Sequence, residues 1–289
     1  MPRVETNGVD TYYERHGDGH PLVFIHGSGW DHRQWRPQVE TLTDDFEAIT
    51  YDVRGHGKTG GSDQTDISYA TYTADLEALL DALDVARPVL VGLSMGGRIA
   101  HRYAAAHPET LTAVVSYEAP VRLEPLSLSL PLRVLDRIHR GVLRFLGPYR
   151  AYKLFSWFQK RRLDIEDSDT EPTHIRGLGM TKEEYVRDAV RQVDRSEKLK
   201  LRKSFADTID TPGEVSVPTL VLTGDGPDSF NHDSAATLVE EIPDARRETI
   251  PGAGHAGNID NPEAFDEALR EFLADVDAVA TTSPPPQGK

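Results

Sequence analysis

Short apolar runs that alternate with helical patterns constrain the fold of this chain more than any other feature of its sequence. Helical patterns at Tyr69 to Leu83 and Ser94 to Ala106 lie between β-like runs. Strands joined by helices pair in parallel and need helices on both faces of the sheet, so we predict an α/β fold. The runs are Thr11 to Glu14, Leu22 to Ile25, Glu47 to Tyr51, Val89 to Val91, Thr112 to Tyr117, Thr219 to Thr223 and Arg246 to Ile250.

One of these runs passes directly into a helix through a glycine-flanked serine. In VLVGLSMGGRIAHRY, residues 89–103, the turn is GLSMG, residues 92–96. Such a bend needs glycine where the backbones approach each other, and it leaves Ser94 projecting alone. A serine that merely caps a helix would give the same pattern, so the motif does not decide by itself. We interpret Ser94 as a candidate nucleophile.

A serine hydroxyl attacks only when a base removes its proton and a carboxylate orients that base. His255 is the candidate base, because it lies in the glycine-rich loop IPGAGH after the last predicted strand. His101 and His107 belong to the helix after Ser94 and need no catalytic role. His16 and His20 lie in a turn, where their spacing does not indicate a metal site.

The loop after an earlier apolar strand offers donors for the negative charge that forms on an attacked carbonyl. In LVFIHGSGW, residues 22–30, the segment HGSG follows the strand directly and exposes backbone N–H groups at the sheet edge. We predict that the N–H groups of Ser28 and Met95 bind the oxyanion.

These segments together resemble the α/β-hydrolase family. HGSGW follows the third strand, YDVRGHGKTGGS the fourth, GLSMGG the fifth and PGAGH the eighth. The resemblance implies an eight-stranded, mostly parallel sheet with helices on both faces, a helical cap inserted after the sixth strand, and no cofactor. It covers nearly all of the chain outside the cap and the C-terminal tail.

The expected domain limits follow from where the alternation of strands and helices breaks. No clear strand is visible between about 119 and 218, whereas aromatic and basic residues crowd FLGPYRAYKLFSWFQKRR, residues 145–162. We predict a core of residues 1–118 and 212–276, a helical cap of 119–211, and a disordered proline-rich tail of 277–289. The aromatic segment from Phe145 to Phe158 suggests an apolar pocket between the cap and the core.

The orienting carboxylate departs from the usual family pattern. Most relatives carry it after the seventh strand as G-x-x-D, but GDGPD, residues 224–228, has proline at that position. Asp225 and Asp228 lie near the usual place, and Glu118 lies at the end of the sixth strand, where some relatives carry their acid. We favour Glu118 because Pro227 occupies the usual position of the acid, which indicates that this loop does not supply it. Asp225 and Asp228 remain rivals.

The composition limits the partners of this protein. Its net charge is −15, which argues against a nucleic-acid partner and against an anionic membrane. It has no cysteine, no run of membrane length and no signal-peptide pattern, so we expect a cytoplasmic protein with a small-molecule substrate. The oligomeric state is not predicted. The dense acidity suggests a protein adapted to high salt, or an ordinary acidic enzyme.

These observations predict a serine hydrolase that cleaves a small, partly apolar carboxylic ester through an acyl-enzyme. The resemblance leaves two other activities open: cofactor-free perhydrolase or haloperoxidase chemistry, and hydrolysis of a carbon–carbon bond. A ligand sensor that kept the pocket and lost turnover is the alternative of another class.

Overall fold

The fold centres on an eight-stranded sheet, in a computed structural model that describes residues 2–65, 67–121, 137–138, 141–162, 173–204, 212–229 and 231–282. The strand order is β1-β2-β4-β3-β5-β6-β9-β10. The pairs β1–β2 and β2–β4 are antiparallel, and the other five pairs are parallel. This arrangement confirms the predicted eight-stranded, mostly parallel sheet.

The strands occur near the predicted runs, with one addition at the N-terminus, β1, and a short hairpin, β7–β8. Their bounds are β1 Arg3–Thr6, β2 Val9–His16, β3 His20–Ile25, β4 Phe46–Tyr51, β5 Val89–Leu93, β6 Ala113–Tyr117, β7 His174–Ile175, β8 Met180–Thr181, β9 Thr219–Gly224 and β10 Ala245–Ile250. The helices are α1 Arg36–Leu42, α2 Tyr69–Ala82, α3 Met95–Ala106, α4 Pro148–Arg162, α5 Lys182–Gln192, α6 Arg195–Ser204, α7 His232–Glu241, α8 Gly257–Asp260 and α9 Pro262–Thr282.

Helices cover both faces of the sheet, and the alternation of β3 shows why. Val23 and Ile25 belong to one buried apolar cluster, which includes residues of α2, α3 and α7. Leu22 and Phe24 point the other way into a second cluster, which includes residues of α1 and α9. Because side chains alternate along a strand and both faces are buried, β3 is apolar at successive positions.

The described residues between β6 and β9 are mostly helical. They contain α4, α5 and α6, together with the hairpin β7–β8, which the sequence did not predict because two-residue strands leave no periodicity. Residues 122–136, 139–140, 163–172 and 205–211 of the predicted cap lie outside the described residues. Among the described helices, none is both long and apolar enough to cross a bilayer.

A third apolar cluster joins this segment to the loops above the sheet. It consists of Trp30, Ile175, Tyr185, Val186, Ala189, Val190, Ala256 and Ile259. Trp30 and Ala256 come from the loops after β3 and β10, and most of the other members come from α5. The cluster therefore packs α5 against the two loops that carry Ser28 and His255.

The C-terminal helix is longer than the predicted domain limits allowed. Helix α9 continues through Thr282, so it includes residues 277–282, which were assigned to the disordered tail. The stretch Asp277-Ala278-Val279-Ala280 contains two alanines, the residue with the highest helix propensity. Residues 283–289 lie outside the described part of the chain.

Candidate active site

Ser94 lies at a strained turn between β5 and α3. Its φ is +53°, a backbone conformation that residues with a side chain rarely adopt. The Ser94 N–H donates to the Tyr117 carbonyl at 2.8 Å, which fixes the bend against β6. A side chain at Gly96 would collide with the backbone of Ile25, so only glycine lets the start of α3 approach the sheet so closely. The Ser94 side chain is held half-exposed at the carboxyl end of β5.

Ser28 and Met95 are the two predicted oxyanion donors. Met95 is the first residue of α3, so its N–H has no carbonyl one turn earlier in the helix. Ser28 follows β3, and its loop is held by Gly27, whose N–H donates to the Gln34 Oε1 at 2.9 Å. Within the described chain, no acceptor is recorded for the N–H of Ser28 or of Met95. Both groups remain candidates for oxyanion binding.

Glu118 lies at the end of β6, next to β5, and it is buried within a set of donors. Its φ is +49°, a second left-handed residue beside Ser94. Its Oε1 accepts hydrogen bonds from the Ser229 hydroxyl at 2.5 Å and from the Gly224 N–H at 3.3 Å. Its Oε2 accepts from the Asn231 N–H at 3.1 Å, and the Asn231 side chain donates to the Glu118 carbonyl at 2.7 Å.

The loop after β10 places His255 opposite this carboxylate. The His255 Nδ1 lies 3.7 Å from the Glu118 Oε2. This separation is longer than an ordinary N–H···O bond of about 2.7–3.2 Å, as is common in sites without substrate. The loop is fixed one residue earlier, where the Tyr117 hydroxyl donates to the Gly254 carbonyl at 2.6 Å and the Gly254 N–H donates to Asp260 at 3.1 Å.

The two rival carboxylates lie elsewhere. Asp225 is exposed, and its Oδ1 accepts a hydrogen bond from the Gly252 N–H at 2.5 Å. Asp228 is exposed beside Gly254. In the described part of the chain, neither carboxylate forms a hydrogen bond or an ion pair with His255. The carboxylate that the structure brings within 3.7 Å of the His255 Nδ1 is that of Glu118.

Three aromatic residues of α4 and of the helical residues 141–146 are exposed rather than buried against the core. Phe145, Phe155 and Trp157 are 76%, 44% and 57% exposed. Helix α4 instead buries Ala151 and packs Tyr149 and Tyr152 partly against the third apolar cluster. The side chain of Phe158 lies outside the described residues. The apolar side chains nearest to Ser28 and His255 in the chain are Trp30 and Ala256.

A buried ionic network beside β2 and β4 was not predicted. Burial alone would lower the pKa of His32, but hydrogen bonds to Asp52 and Glu14 outweigh it and raise the pKa to about 9. The His32 Nδ1 lies 2.8 Å from Asp52, and its Nε2 lies 3.4 Å from Glu14. Asp31, His32 and Asp52 have the spacing of a metal site. Because Asp31 is paired with Arg33 at 2.7 Å, each of these groups already has a partner.

The comparisons with known proteins agree with the fold. A family described as alpha/beta hydrolase fold matches residues 20–262. A non-heme chloroperoxidase of Kitasatospora aureofaciens is 28% identical, covering 94% of this chain and 99% of that protein. The bromoperoxidase of Bacillus anthracis has a TM-score of 0.72 at 28% identity, covering 92% and 96% of the two chains.

A thermophilic esterase of Thermogutta terrifontis is also similar in structure. Its TM-score is 0.76 at 24% identity, covering 96% of this chain and 99% of that chain, so it supports the fold alone. The family match spans most of the sequence and includes the segments that carry Ser28, Ser94 and His255. The chain therefore belongs to the alpha/beta hydrolase fold family and is an enzyme.

Proposed function

We propose that this enzyme is a serine hydrolase that cleaves small, partly apolar carboxylic esters through an acyl-enzyme on Ser94. The observation that carries the proposal is the contact of 3.7 Å between the His255 Nδ1 and the buried carboxylate of Glu118. A histidine that faces a carboxylate with one ring nitrogen presents the other nitrogen as a base. Ser94, Glu118 and His255 follow β5, β6 and β10 at the same edge of the parallel sheet.

The proposed reaction has two halves. The His255 Nε2 takes the proton of the Ser94 hydroxyl as the oxygen attacks the ester carbonyl, and the N–H groups of Ser28 and Met95 bind the resulting oxyanion. The intermediate collapses, and the alkoxide leaves with the proton from His255. Water then loses a proton to His255, attacks the acyl-enzyme and releases the carboxylic acid, with the proton returning to Ser94.

Glu118 is proposed to hold the imidazole rather than to take its proton. The three hydrogen bonds that it accepts from Ser229, Gly224 and Asn231 stabilise a carboxylate at this position, and from 3.7 Å away that carboxylate stabilises the imidazolium that forms during attack. The preference for a small, partly apolar ester is supported by the third apolar cluster, whose Trp30 and Ala256 lie in the loops that carry Ser28 and His255.

Amide substitutions test the assignment of the acid. With a chromogenic short-chain ester, Glu118→Gln should lower kcat by about 10³- to 10⁴-fold, because the amide favours the wrong tautomer of His255. Asp225→Asn and Asp228→Asn are matched controls and should stay within about twofold, since exposed carboxylates contribute little. A large loss in either control with an active Glu118→Gln enzyme would refute the assignment.

A fluorophosphonate probe tests the nucleophile independently of the substrate. The probe should label the wild-type enzyme at Ser94, and Ser94→Ala should lose both labelling and about 10⁴-fold or more of kcat. Labelling at another residue, or turnover that survives in Ser94→Ala, would contradict the mechanism.

A second candidate activity is perhydrolysis. It is favoured by the 28% identity to a protein named as a non-heme chloroperoxidase. In this reaction hydrogen peroxide replaces water, attacks the acyl-enzyme and releases a peracid together with the free Ser94 hydroxyl. Peracid formed from acetate ester and hydrogen peroxide, and lost in Ser94→Ala, would support it. Ester hydrolysis without peracid would limit the enzyme to the first activity.

A further inference from the structure

The loop after β9 carries hydrogen-bond donors to Glu118 that no sequence motif indicates. Ser229 lies in this loop, and its hydroxyl is 2.5 Å from the Glu118 Oε1. A carboxylate oxygen only accepts hydrogen bonds, so the single hydroxyl proton of Ser229 must point at Glu118. The Ser229 oxygen can then only accept from any other neighbour.

That neighbour is His232, the first residue of α7. Its Nε2 lies 3.2 Å from the Ser229 Oγ. On the other side of the ring, its Nδ1 lies 2.9 Å from the Nη2 of Arg247 on β10. A guanidinium only donates, so the Nδ1 must accept and the proton of a neutral imidazole must sit on Nε2.

The donor and the acceptor of each hydrogen bond can be assigned along the row formed by Arg247, His232, Ser229 and Glu118. The Arg247 Nη2 carries two N–H groups, and its second acceptor is the Thr223 Oγ1 at 3.2 Å. One of these N–H groups therefore donates to His232, His232 donates to Ser229, and Ser229 donates to Glu118. Every hydrogen bond points towards the carboxylate, and none can be reversed while Arg247 is in place.

We propose that Ser229, His232 and Arg247 are positioning residues that act through Glu118. The row holds the Oε1 from one side, so that the Oε2 stays directed at His255 3.7 Å away. This inference rests on the proposed function, because Glu118 is the acid of the proposed triad. The loop after β9 thus supplies the donors that hold an acid at the end of the adjacent strand, β6.

The protonation of His232 gives a test that does not depend on catalysis. A two-dimensional ¹⁵N–¹H spectrum at neutral pH should show His232 protonated at Nε2 and unprotonated at Nδ1. Arg247→Met removes the donor and should abolish this strong preference. A wild-type His232 with its proton on Nδ1 would overturn the inference and leave the proposed function untouched.

The effect on turnover is measured with Ser229→Ala. We expect kcat to fall by about 10- to 100-fold with KM nearly unchanged, since loss of a supporting partner displaces the group it orients. Ser229→Thr keeps a hydroxyl and should recover most of kcat. Thr237→Ala removes a hydroxyl from α7 that donates to the Asp233 carbonyl, and it should leave both constants unchanged.

The double variant Ser229→Ala/Glu118→Gln decides whether the hydroxyl acts through Glu118. It should be no slower than Glu118→Gln alone, because the hydroxyl has nothing left to position. Fully multiplied losses, or a Ser229→Ala enzyme within about twofold of wild type in kcat, would overturn the inference. If Ser229→Ala does not fold, Arg247→Met replaces it in the same comparison and should lose about threefold or more in kcat.

The same measurements separate this inference from the proposed function. An unchanged kcat in Glu118→Gln would refute the proposed acid and the inference together. A large loss in Glu118→Gln with no loss in folded Ser229→Ala would refute the inference alone.

Discussion

Ser94 and Glu118 share an uncommon backbone conformation. Both have positive φ, +53° and +49°, and both directly follow neighbouring parallel strands, β5 and β6. Residues with side chains pay of order 1–3 kcal/mol for such a conformation, and the surrounding structure must hold them in it. The hydrogen bonds from the Ser94 N–H to Tyr117 and from the Glu118 N–H to Leu222 do this. Backbone strain therefore occurs at the two residues that carry the proposed nucleophile and its orienting acid.

Ser94→Gly should separate stability from activity. Glycine adopts positive φ at no steric cost, so we expect the free energy of unfolding to rise by about 1 kcal/mol while ester turnover disappears. Ser94→Ala is the matched control, because alanine lacks the hydroxyl but keeps the strain, and it should gain much less. The measurement is urea unfolding of the three proteins. Equal stability of Ser94→Gly and Ser94→Ala would show that the turn is not strained.

The sequence indicated some residues of the site and could not indicate others. Ser94 and His255 are flanked by glycines that the turns require, and those glycines are visible as motifs. Glu118 is favoured by its place at the end of the sixth predicted strand and by the proline at 227. Ser229 and Asn231 contact Glu118 across 111 and 113 residues of chain, so no local spacing connects them. Only the parallel pairing of β6 with β9 brings the two loops together.

At the scale of elements, α5 supports the loop that carries Ser28. The ring of Tyr185 meets Trp30 edge to face, with centroids 5.6 Å apart. The Tyr185 hydroxyl accepts from the Asp31 N–H and donates to the Asp31 carbonyl, both at 3.2 Å. Arg33 adds an ion pair to Asp31 at 2.7 Å and another to Asp188 of α5 at 2.8 Å. This helix therefore fixes the backbone just after the predicted oxyanion donor.

Tyr185→Phe should weaken the contact between α5 and the loop after β3 without creating a cavity. The ring contact with Trp30 remains, but the buried N–H of Asp31 loses its acceptor, so we expect a loss of about 1–3 kcal/mol in the free energy of unfolding. Urea unfolding measures it. Tyr13→Phe is the control, since the described residues provide no hydrogen-bond partner for its half-buried hydroxyl. A Tyr185→Phe protein as stable as the control would show that the hydroxyl contacts contribute nothing.

The elements that the sequence missed have a common cause. β7 and β8 have two residues each, which is too short for a period-2 pattern, and β1, with the sequence RVET, contains a single apolar residue. Each of these short strands forms only by pairing with another strand, so its formation depends on tertiary contacts. The buried strands β3, β5 and β9 were predicted because both faces of the sheet are covered and each strand contains a continuous apolar run.

At the scale of the whole molecule, a net charge of −15 coexists with a buried ionic network. Glu14 of β2 accepts from the Tyr12 hydroxyl at 2.5 Å and lies 3.2 Å from the His16 Nε2, beside its contact with His32. A hydrogen bond from His32 holds the pKa of Glu14 well below its usual range. Asp52 also has a lowered pKa, because its contacts with His32 outweigh the effect of burial. The network thus holds a protonated His32 between the carboxylates of Glu14 and Asp52.

This arrangement predicts a pH dependence of stability with a defined sign. The pKa of His32 rises from 6.5 to about 9 in the folded protein. Between these values the folded protein keeps a proton that the unfolded chain has released, so its free energy of unfolding must fall as pH increases. The contribution is fully present below pH 6.5 and lost above about pH 9. Glu14 and Asp52 titrate at acidic pH and leave this window undisturbed.

His32→Gln isolates the effect from the general repulsion of an acidic protein. Repulsion between surface carboxylates changes little between pH 6 and 9.5, since these groups are already ionised, so the variant should lose much of the wild-type decline over this range. It should also be less stable than wild type at pH 6, because the buried carboxylate of Asp52 and the half-buried one of Glu14 lose their cation. Urea unfolding at intervals of half a pH unit measures both. His107→Gln, a change at a partly exposed histidine far from the network in sequence, should keep the wild-type profile. A decline in His32→Gln as steep as in wild type would place the titrating group elsewhere.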